Sequence, residues 1–206
     1  FSCMQKLRMG IDVGSTTVKA VVRDENGKII FSSYKRHFSD IILTVRELFS
    51  AAKEQIGNSE FSAAITGSGG LLISEMLGIK FVQEVIATKT AVSKLYPTID
   101  VVIELGGEDA KILYLTNGLE QRMNGTCAGG TGSFIDQMAI LLKTDASGLN
   151  ALAENHKTIY PIAARCGVFA KSDIQPLLNE GATKEDVAAS VLQAVVVQTI
   201  SGLAQG

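Results

Sequence analysis

Tryptophan is absent from this chain of 206 residues, and aromatic residues make up only 6% of it. Recognition of bases by stacking has little to work with. There is no long basic run and the formal net charge is −2, so the electrostatic footprint that nucleic acid requires is missing too. Only three cysteines occur, Cys3, Cys127 and Cys166, too few and too scattered for a disulfide framework. A reducing cytoplasm is the default compartment. The most apolar window, residues 187–204, is broken by Ser190, Gln193, Gln198, Thr199 and Ser201. It is expected as a buried or half-buried helix, not a membrane span. The opening Phe-Ser-Cys-Met-Gln-Lys lacks the apolar core of a signal peptide.

What is present describes a globular α/β protein. Apolar residues make up 46% and charged residues 19%, with a mean hydropathy of +0.23. The length suits one large or two small domains. The organising stretch is residues 9–22, Met-Gly-Ile-Asp-Val-Gly-Ser-Thr-Thr-Val-Lys-Ala-Val-Val. Two apolar runs separated by a small turn predict a β-hairpin. At its tip, Gly14 allows close backbone approach to an anion, and N–H groups with the hydroxyls of Ser15, Thr16 and Thr17 suit phosphate oxygens. Asp12, ending the first strand, is placed to hold a hydrated Mg²⁺. The Gly-x4-Gly-Lys-Ser/Thr P-loop is absent, and the turn leads into a strand instead of a helix.

The pattern returns once, in Val-Ile-Glu-Leu-Gly-Gly-Glu-Asp-Ala-Lys-Ile-Leu-Tyr at residues 102–114. Asp12 meets Glu104, Gly14 meets Gly106 and Lys19 meets Lys111, each offset by 92 positions (104 − 12, 106 − 14, 111 − 19). Asn26-Gly27 and Asn117-Gly118 follow the two copies as hairpin turns. Two copies are too few for a solenoid. A duplicated domain, with one phosphate hairpin from each half facing across a cleft, fits better.

Taken in order, strands are expected at 7–13, 18–23 and 29–36, then a helix capped by Ser39 or Asp40 to about Ile56, its inner face Ile42, Val45, Leu48, Phe49 and Ala52. A strand at 61–66 and the turn Thr66-Gly67-Ser68-Gly69-Gly70 lead to a helix ending near Gly78. That glycine cluster is taken as a strand-to-helix turn. A strand over 81–85 and a helix over 87–95 close the first half, residues 7–97, and Tyr96-Pro97-Thr98 marks the seam. In the second half, 98–206, strands at 100–105, 110–116 and 119–123 precede a glycine-rich loop and a helix over 134–143. Ser147 is expected to cap a short helix to Glu154. A further helix reaches Asn179, with Pro176 kinking it or delaying its start. Thr183 and Asp186 form a capping box for the last helix, and Lys184-Glu185-Asp186 is expected as a solvated first turn. His37 and His156, with no Asp or Ser motif beside them, are expected on the surface or in packing roles.

Cys127 and Cys166 each lie just before a helix, where negative charge is favoured and a thiol is biased toward thiolate. Their spacing, 166 − 127 = 39, matches no single-chain zinc or cluster motif. The residues alone leave open small buried hydrophobes or, if both faced a two-fold axis, a four-thiolate shell completed by a second copy.

Gly-Ile-Asp-Val-Gly-Ser-Thr-Thr-Val-Lys (10–19) and Ile-Glu-Leu-Gly-Gly-Glu-Asp (103–109) resemble the two phosphate motifs of the acetate and sugar kinase, Hsp70 and actin superfamily. Asn-Gly-Thr-Cys-Ala-Gly-Gly-Thr-Gly-Ser-Phe-Ile-Asp (124–136) and Arg-Cys-Gly-Val-Phe-Ala-Lys-Ser (165–172) narrow the resemblance to activators of 2-hydroxyacyl-CoA dehydratases, a branch that includes the ATPase subunits of benzoyl-CoA reductase. The resemblance covers nearly all of the chain from Arg8 on. It implies two ribonuclease-H-like halves around a nucleotide cleft, with ATP or ADP and Mg²⁺ held by Asp12, Gly14, Ser15, Thr16, Thr17, Lys19, Gly106 and Gly107. Asp12 and Glu104 would be the catalytic carboxylates. It also implies a homodimer sharing one [4Fe–4S] cluster, to which Cys127 and Cys166 match as ligands, and ATP-driven electron transfer from a ferredoxin or flavodoxin into a dehydratase-like partner.

Glu104 and Glu108 stand where the small activators usually have Asp and Gln, and larger fused relatives look similar at these positions. Family members also continue past the position of Gly206 with a strand and a glycine-rich turn that hold adenosine. The resemblance thus implies an incomplete C-terminal part and weak or absent hydrolysis by this chain alone. Two rivals remain: a sugar or small-acid kinase of the same fold, which needs no cysteines, and a non-catalytic nucleotide-binding module of a larger protein.

Overall fold

The computed structural model describes residues 6–116, 118–124, 129–163 and 166–204. The chain divides into two compact units, Phe1–Thr98 and Ile99–Gly206.

In the first unit, β1 (Leu7–Val13), β2 (Thr17–Arg23) and β3 (Ile29–Arg36) form an antiparallel meander. Period-2 alternation drives it: Leu7, Met9, Ile11 and Val13 are all buried while Arg8 and Gly10 are exposed. Asp24 builds the second turn, its carboxylate accepting from the N–H groups of Asn26 (3.0 Å) and Lys28 (2.9 Å), and Gly27 takes a φ of +84°. Helix α1 (Ile41–Ile56) follows. Asp40 is its cap, accepting from the Leu43 N–H at 3.0 Å, and Gly57 stops it at positive φ. Strand β4 (Phe61–Thr66) then pairs parallel to the other edge of β1, α2 spans Gly70–Leu77, and β5 (Lys80–Phe81) gives the sheet order β3-β2-β1-β4-β5.

Val45, Leu48 and Ala52 of α1 and Ile73 of α2 join the inward residues of β1 and β2 in one core. Full burial of a side chain such as Leu48 contributes about 1.5–3 kcal/mol. Ile42, expected on this inner face, is instead 58% exposed, because the buried stripe of α1 is centred on Thr44, Val45, Leu48 and Ala52. The strand expected at 81–85 is only two residues long. Helix α3 (Glu84–Leu95) begins at Glu84, where the Ala87 N–H already reaches back to Gln83 O.

The second unit opens with another meander, β6 (Val101–Leu105), β7 (Ala110–Tyr114) and β8 (Glu120–Asn124). Its register repeats that of the first. Asp12 pairs across the strands with Lys19, and Glu104 with Lys111, at the offset of 92 (104 − 12 and 111 − 19). Asn117 lies outside the described residues, and Gly118 takes a φ of +119°.

A helical cluster follows: α4 (Gly132–Leu141), α5 (Ala146–Ala153), α6 (Gly167–Asn179) and α7 (Lys184–Thr199), ending in a π-helical turn at Ile200–Ala204. Phe134, Met138, Leu149, Ile174, Val187 and Val191 pack into its core. Helix α7 and its π-turn are long and apolar enough to cross a membrane by composition, yet half of that window is buried inside the unit. Two expectations are corrected here. The cap of α5 is Asp145, whose carboxylate accepts from the Gly148 N–H at 2.7 Å, and Ser147 lies inside the helix. Pro176 sits within α6 without delaying its start at Gly167.

Asp186 is also corrected. It is buried, not solvated. Thr183 caps the helix, accepting from the Asp186 N–H at 3.2 Å, and the Asp186 carboxylate accepts from the N–H groups of Lys157 (2.6 Å) and Thr158 (2.9 Å) as well as meeting the Thr183 hydroxyl. These backbone donors hold its pKa below the ordinary aspartate value, with burial opposing them. The segment between α5 and α6 is therefore tied to α7 from within.

Candidate functional site

The first glycine turn is built from three strands and two loops. Gly14 N–H donates to Thr17 O at 2.9 Å and closes the hairpin. Ser15 is exposed at the tip, Thr16 is half-buried and Thr17 is buried. At the end of β1, Asp12 lies in register with Lys19 of β2 and Thr66 of β4. Lys19 Nζ donates to Asp12 Oδ2 at 2.8 Å, with both side chains about a third exposed (37% and 35%). The ammonium also stands 5.7 Å from the centre of the Tyr34 ring. Such a half-exposed pair is weakly held. The hydroxyl of Thr66 is buried with no hydrogen-bond partner among the described residues.

The glycine cluster after β4 does more than turn the chain. Gly67 has a φ of +100°, and a Cβ there would run into the Val13 carbonyl and stand 2.6 Å from Asp12 Oδ1. Two residues on, the Gly69 N–H donates to Val13 O at 2.9 Å. This loop can lie against the carboxylate only because it has no side chain at that point. A second contribution not foreseen from the sequence is His37. It is buried, its Nε2 is 3.1 Å from Gly14 O, and its Nδ1 accepts from the Ser39 N–H at 3.1 Å. The Gly-rich spacing hinted at Gly67. Nothing near His37 in the sequence points to its contact with a turn 23 residues earlier.

The second turn repeats the first in its backbone. Gly106 N–H donates to Asp109 O at 2.8 Å, the counterpart of Gly14 to Thr17 at the same offset of 92 (106 − 14 and 109 − 17). A Cβ on Gly106 would stand 2.5 Å from Asp109 Oδ1, a side-chain end that can turn aside, and 3.0 Å from Asp109 O, a tight backbone contact. The start of α4 presses on the turn, with Gly132 N–H donating to Gly106 O at 2.7 Å and Ser133 N–H to Gly107 O at 3.0 Å. Lys111 is buried, its Nζ 3.3 Å from Asp109 Oδ2, and Glu104 is half-buried on the neighbouring strand. Glu108 is exposed.

Cys166 is half-buried at the N-terminal cap of α6, its carbonyl accepting from the Ala170 N–H at 2.9 Å. Cys127 lies outside the described residues. Among the described residues there is no group of three or more His, Cys, Asp or Glu side chains placed to hold a metal ion. A hollow of about 990 Å³ borders α6 and α7 between Tyr160, Phe169 and Val197, and neither glycine turn lines it.

A profile of the BadF/BadG/BcrA/BcrD ATPase family matches residues 9–205. The (R)-2-hydroxyglutaryl-CoA dehydratase activating ATPase of Acidaminococcus fermentans is 31% identical over 201 residues, covering 95% of this chain and 76% of that protein. The crystal structure of component A of that dehydratase, from the same organism, superposes with a TM-score of 0.81 at 30% identity, covering 97% of this chain and 78% of that one. The activator of the 2-hydroxyisocaproyl-CoA dehydratase from Clostridium difficile, solved with bound ADPNP, gives a TM-score of 0.79 at 27% identity, covering 96% and 74%. The α/β fold described above is the fold of these activators.

Proposed function

Because the chain belongs to the BadF/BadG/BcrA/BcrD ATPase family, we propose that it binds Mg·ATP at its two glycine turns and activates a 2-hydroxyacyl-CoA dehydratase-like enzyme by ATP-driven electron transfer. The observation that carries this reading is the duplicated turn. The same internal bond and the same acid–lysine register occur twice, 92 residues apart (106 − 14 and 104 − 12). Two matching backbone cradles suit a ligand with several phosphates better than a single anion.

In this reading Gly14, Ser15, Thr16 and Thr17 face phosphate oxygens from the first half, and Gly106 and Gly107 from the second. Asp12 holds Mg²⁺ through water. The fit of the site to a hydrated cation rests on the orphaned Thr66 hydroxyl, which lies beside Asp12 in register and is suited to a water ligand. The metal supplies charge neutralisation at the phosphates. Lys19 exchanges its weak pairing with Asp12 for a phosphate oxygen, and Glu104 orients the attacking water. The two halves, 7–97 and 98–206, are the domains of this reading, each carrying one phosphate turn.

Cys127 and Cys166 would hold a [4Fe–4S] cluster, which supplies one-electron transfer at low potential. Such a cluster takes four thiolates, and this pair provides two, so a homodimer is required. Cys166 stands half-buried at the cap of α6, where its side chain is not sealed in a core. A ferredoxin or flavodoxin is the donor, in a reducing cytoplasm.

Purification without oxygen tests the proposal. We expect a brown dimer with about four iron and four sulfide per two chains, colourless after Cys127→Ala or Cys166→Ala, and Mg·ADP binding by calorimetry. A colourless, iron-free protein with both cysteines intact and nucleotide still bound would leave a kinase or a nucleotide-binding module as the better reading.

A further inference from the structure

The carbonyl of the turn glycine is held from outside the hairpin in both units, by unrelated donors. In the second unit the backbone N–H of Gly132 donates to Gly106 O at 2.7 Å. In the first unit no helix start does this, and the imidazole of His37 takes its place, with Nε2 at 3.1 Å from Gly14 O. A trans peptide points its C=O and its N–H in opposite directions. Fixing Gly14 O against His37 therefore turns the Ser15 N–H the other way. The main chain of His37 treats the next carbonyl but one alike. Its N–H donates to Thr16 O at 3.1 Å, which turns the Thr17 N–H away as well.

The bonding pattern also assigns the proton. Nδ1 accepts from the Ser39 N–H, so the neutral ring carries its hydrogen on Nε2 and donates it to Gly14. The ring is locked there: His37 is buried, and its carbonyl accepts from the Asp40 N–H at 2.7 Å, the cap of α1. Bringing the Ser39 N–H back to the ring puts Phe38 (φ 44°) and Ser39 (φ 69°) in left-handed conformations that neither residue favours. Phe38 is 85% exposed, so its side chain gains no burial in return. Backbone strain kept without compensating packing is grounds for a functional hypothesis.

We propose that His37 is a positioning residue for the first phosphate turn, its Nε2–H holding Gly14 O so that the Ser15 and Thr17 amides are presented to phosphate. This rests on the nucleotide-binding reading above. Two substitutions separate the ring's bonds: His37→Gln places a donor near the position of Nε2, and His37→Asn places an acceptor near that of Nδ1. We expect His37→Asn to weaken Mg·ADP binding at least about tenfold by calorimetry, which is about 1.4 kcal/mol, and His37→Gln to stay within about threefold of wild type, a shift under about 0.7 kcal/mol. Amide exchange at Ser15 and Thr17, in protein without nucleotide, should be faster in His37→Asn than in His37→Gln. A purely structural histidine would lower the melting temperature of both variants and leave these differences absent, which overturns the proposal. If wild-type protein binds no Mg·ADP, the nucleotide reading fails, and the exchange comparison still decides the positioning role. Should either variant not fold, ¹⁵N NMR of the wild-type imidazole decides: a protonated Nε2 and bare Nδ1 are expected, and a proton on Nδ1 overturns the assignment.

Discussion

Replacing Gly67 by alanine is the sharpest test of how the first turn is built. The residue sits at a φ of +100°, where an L-residue costs about 1–2 kcal/mol more than glycine. Its new Cβ would collide with the Val13 carbonyl, a backbone atom at the end of a central strand that no rotamer change can move. Overpacking of this kind adds about 1–3 kcal/mol. A total near 3 kcal/mol is therefore reasonable for the first unit, Phe1–Thr98, and corresponds to a fall of about 12–24 °C in its melting temperature. Gly57→Ala is the matched control. It also takes positive φ (+61°), but nothing lies within 4 Å of its Cβ, so it should lose only the backbone part of that cost. Calorimetric melting of the two variants side by side isolates the steric share, about 1–3 kcal/mol. Because Asp12 Oδ1 is the other neighbour, at 2.6 Å, Mg·ADP binding should fall with stability in Gly67→Ala only. Equal melting of the two variants, with equal nucleotide affinity, would refute this account of the loop.

Asp12→Asn should behave in the opposite way. Its pair with Lys19 is about a third exposed, so stability should change by no more than about 1 kcal/mol, while Mg·ADP affinity by calorimetry should drop about tenfold or more. Unchanged affinity removes Asp12 from the proposed cation site. For Asp186, whose pKa is lowered by the Lys157 and Thr158 N–H groups, the unfolded chain takes up the proton first as pH falls. The contribution of Asp186 is thus fully present above about pH 5 and lost as pH falls below about 4. Urea midpoints between pH 6 and 3 should fall more steeply for wild type than for Asp186→Asn. Parallel profiles would rule out this linkage.

Much of the first unit was legible in the sequence. The limits of β1 and β3 and the cap of α1 follow from period-2 alternation, from Asn-Gly turn chemistry, and from Asp40 ahead of an apolar stripe. Each is settled within a few residues. The repeat was legible too, since a shared offset needs no tertiary information. Ile42 and the strand at 81–85 were misjudged because periodicity does not say how wide a buried stripe is, or whether an apolar run prefers strand or helix. Ser147 lost to Asp145 as a cap because two polar candidates stood two positions apart.

Sequence alone determined the two hairpins, their acid, glycine and lysine positions and the family they belong to, because those properties live in local hydrogen bonding and in residue identity. Only the folded chain decided that Gly67 backs onto Asp12, that the Thr66 hydroxyl has no partner among the described residues, that Asp186 is buried, and that His37 lies against Gly14. Each of these joins segments 23 to 55 residues apart (37 − 14, 186 − 157, 66 − 12, 67 − 12). Contacts over such distances are selected by the packing of whole elements, and no short-range pattern encodes them.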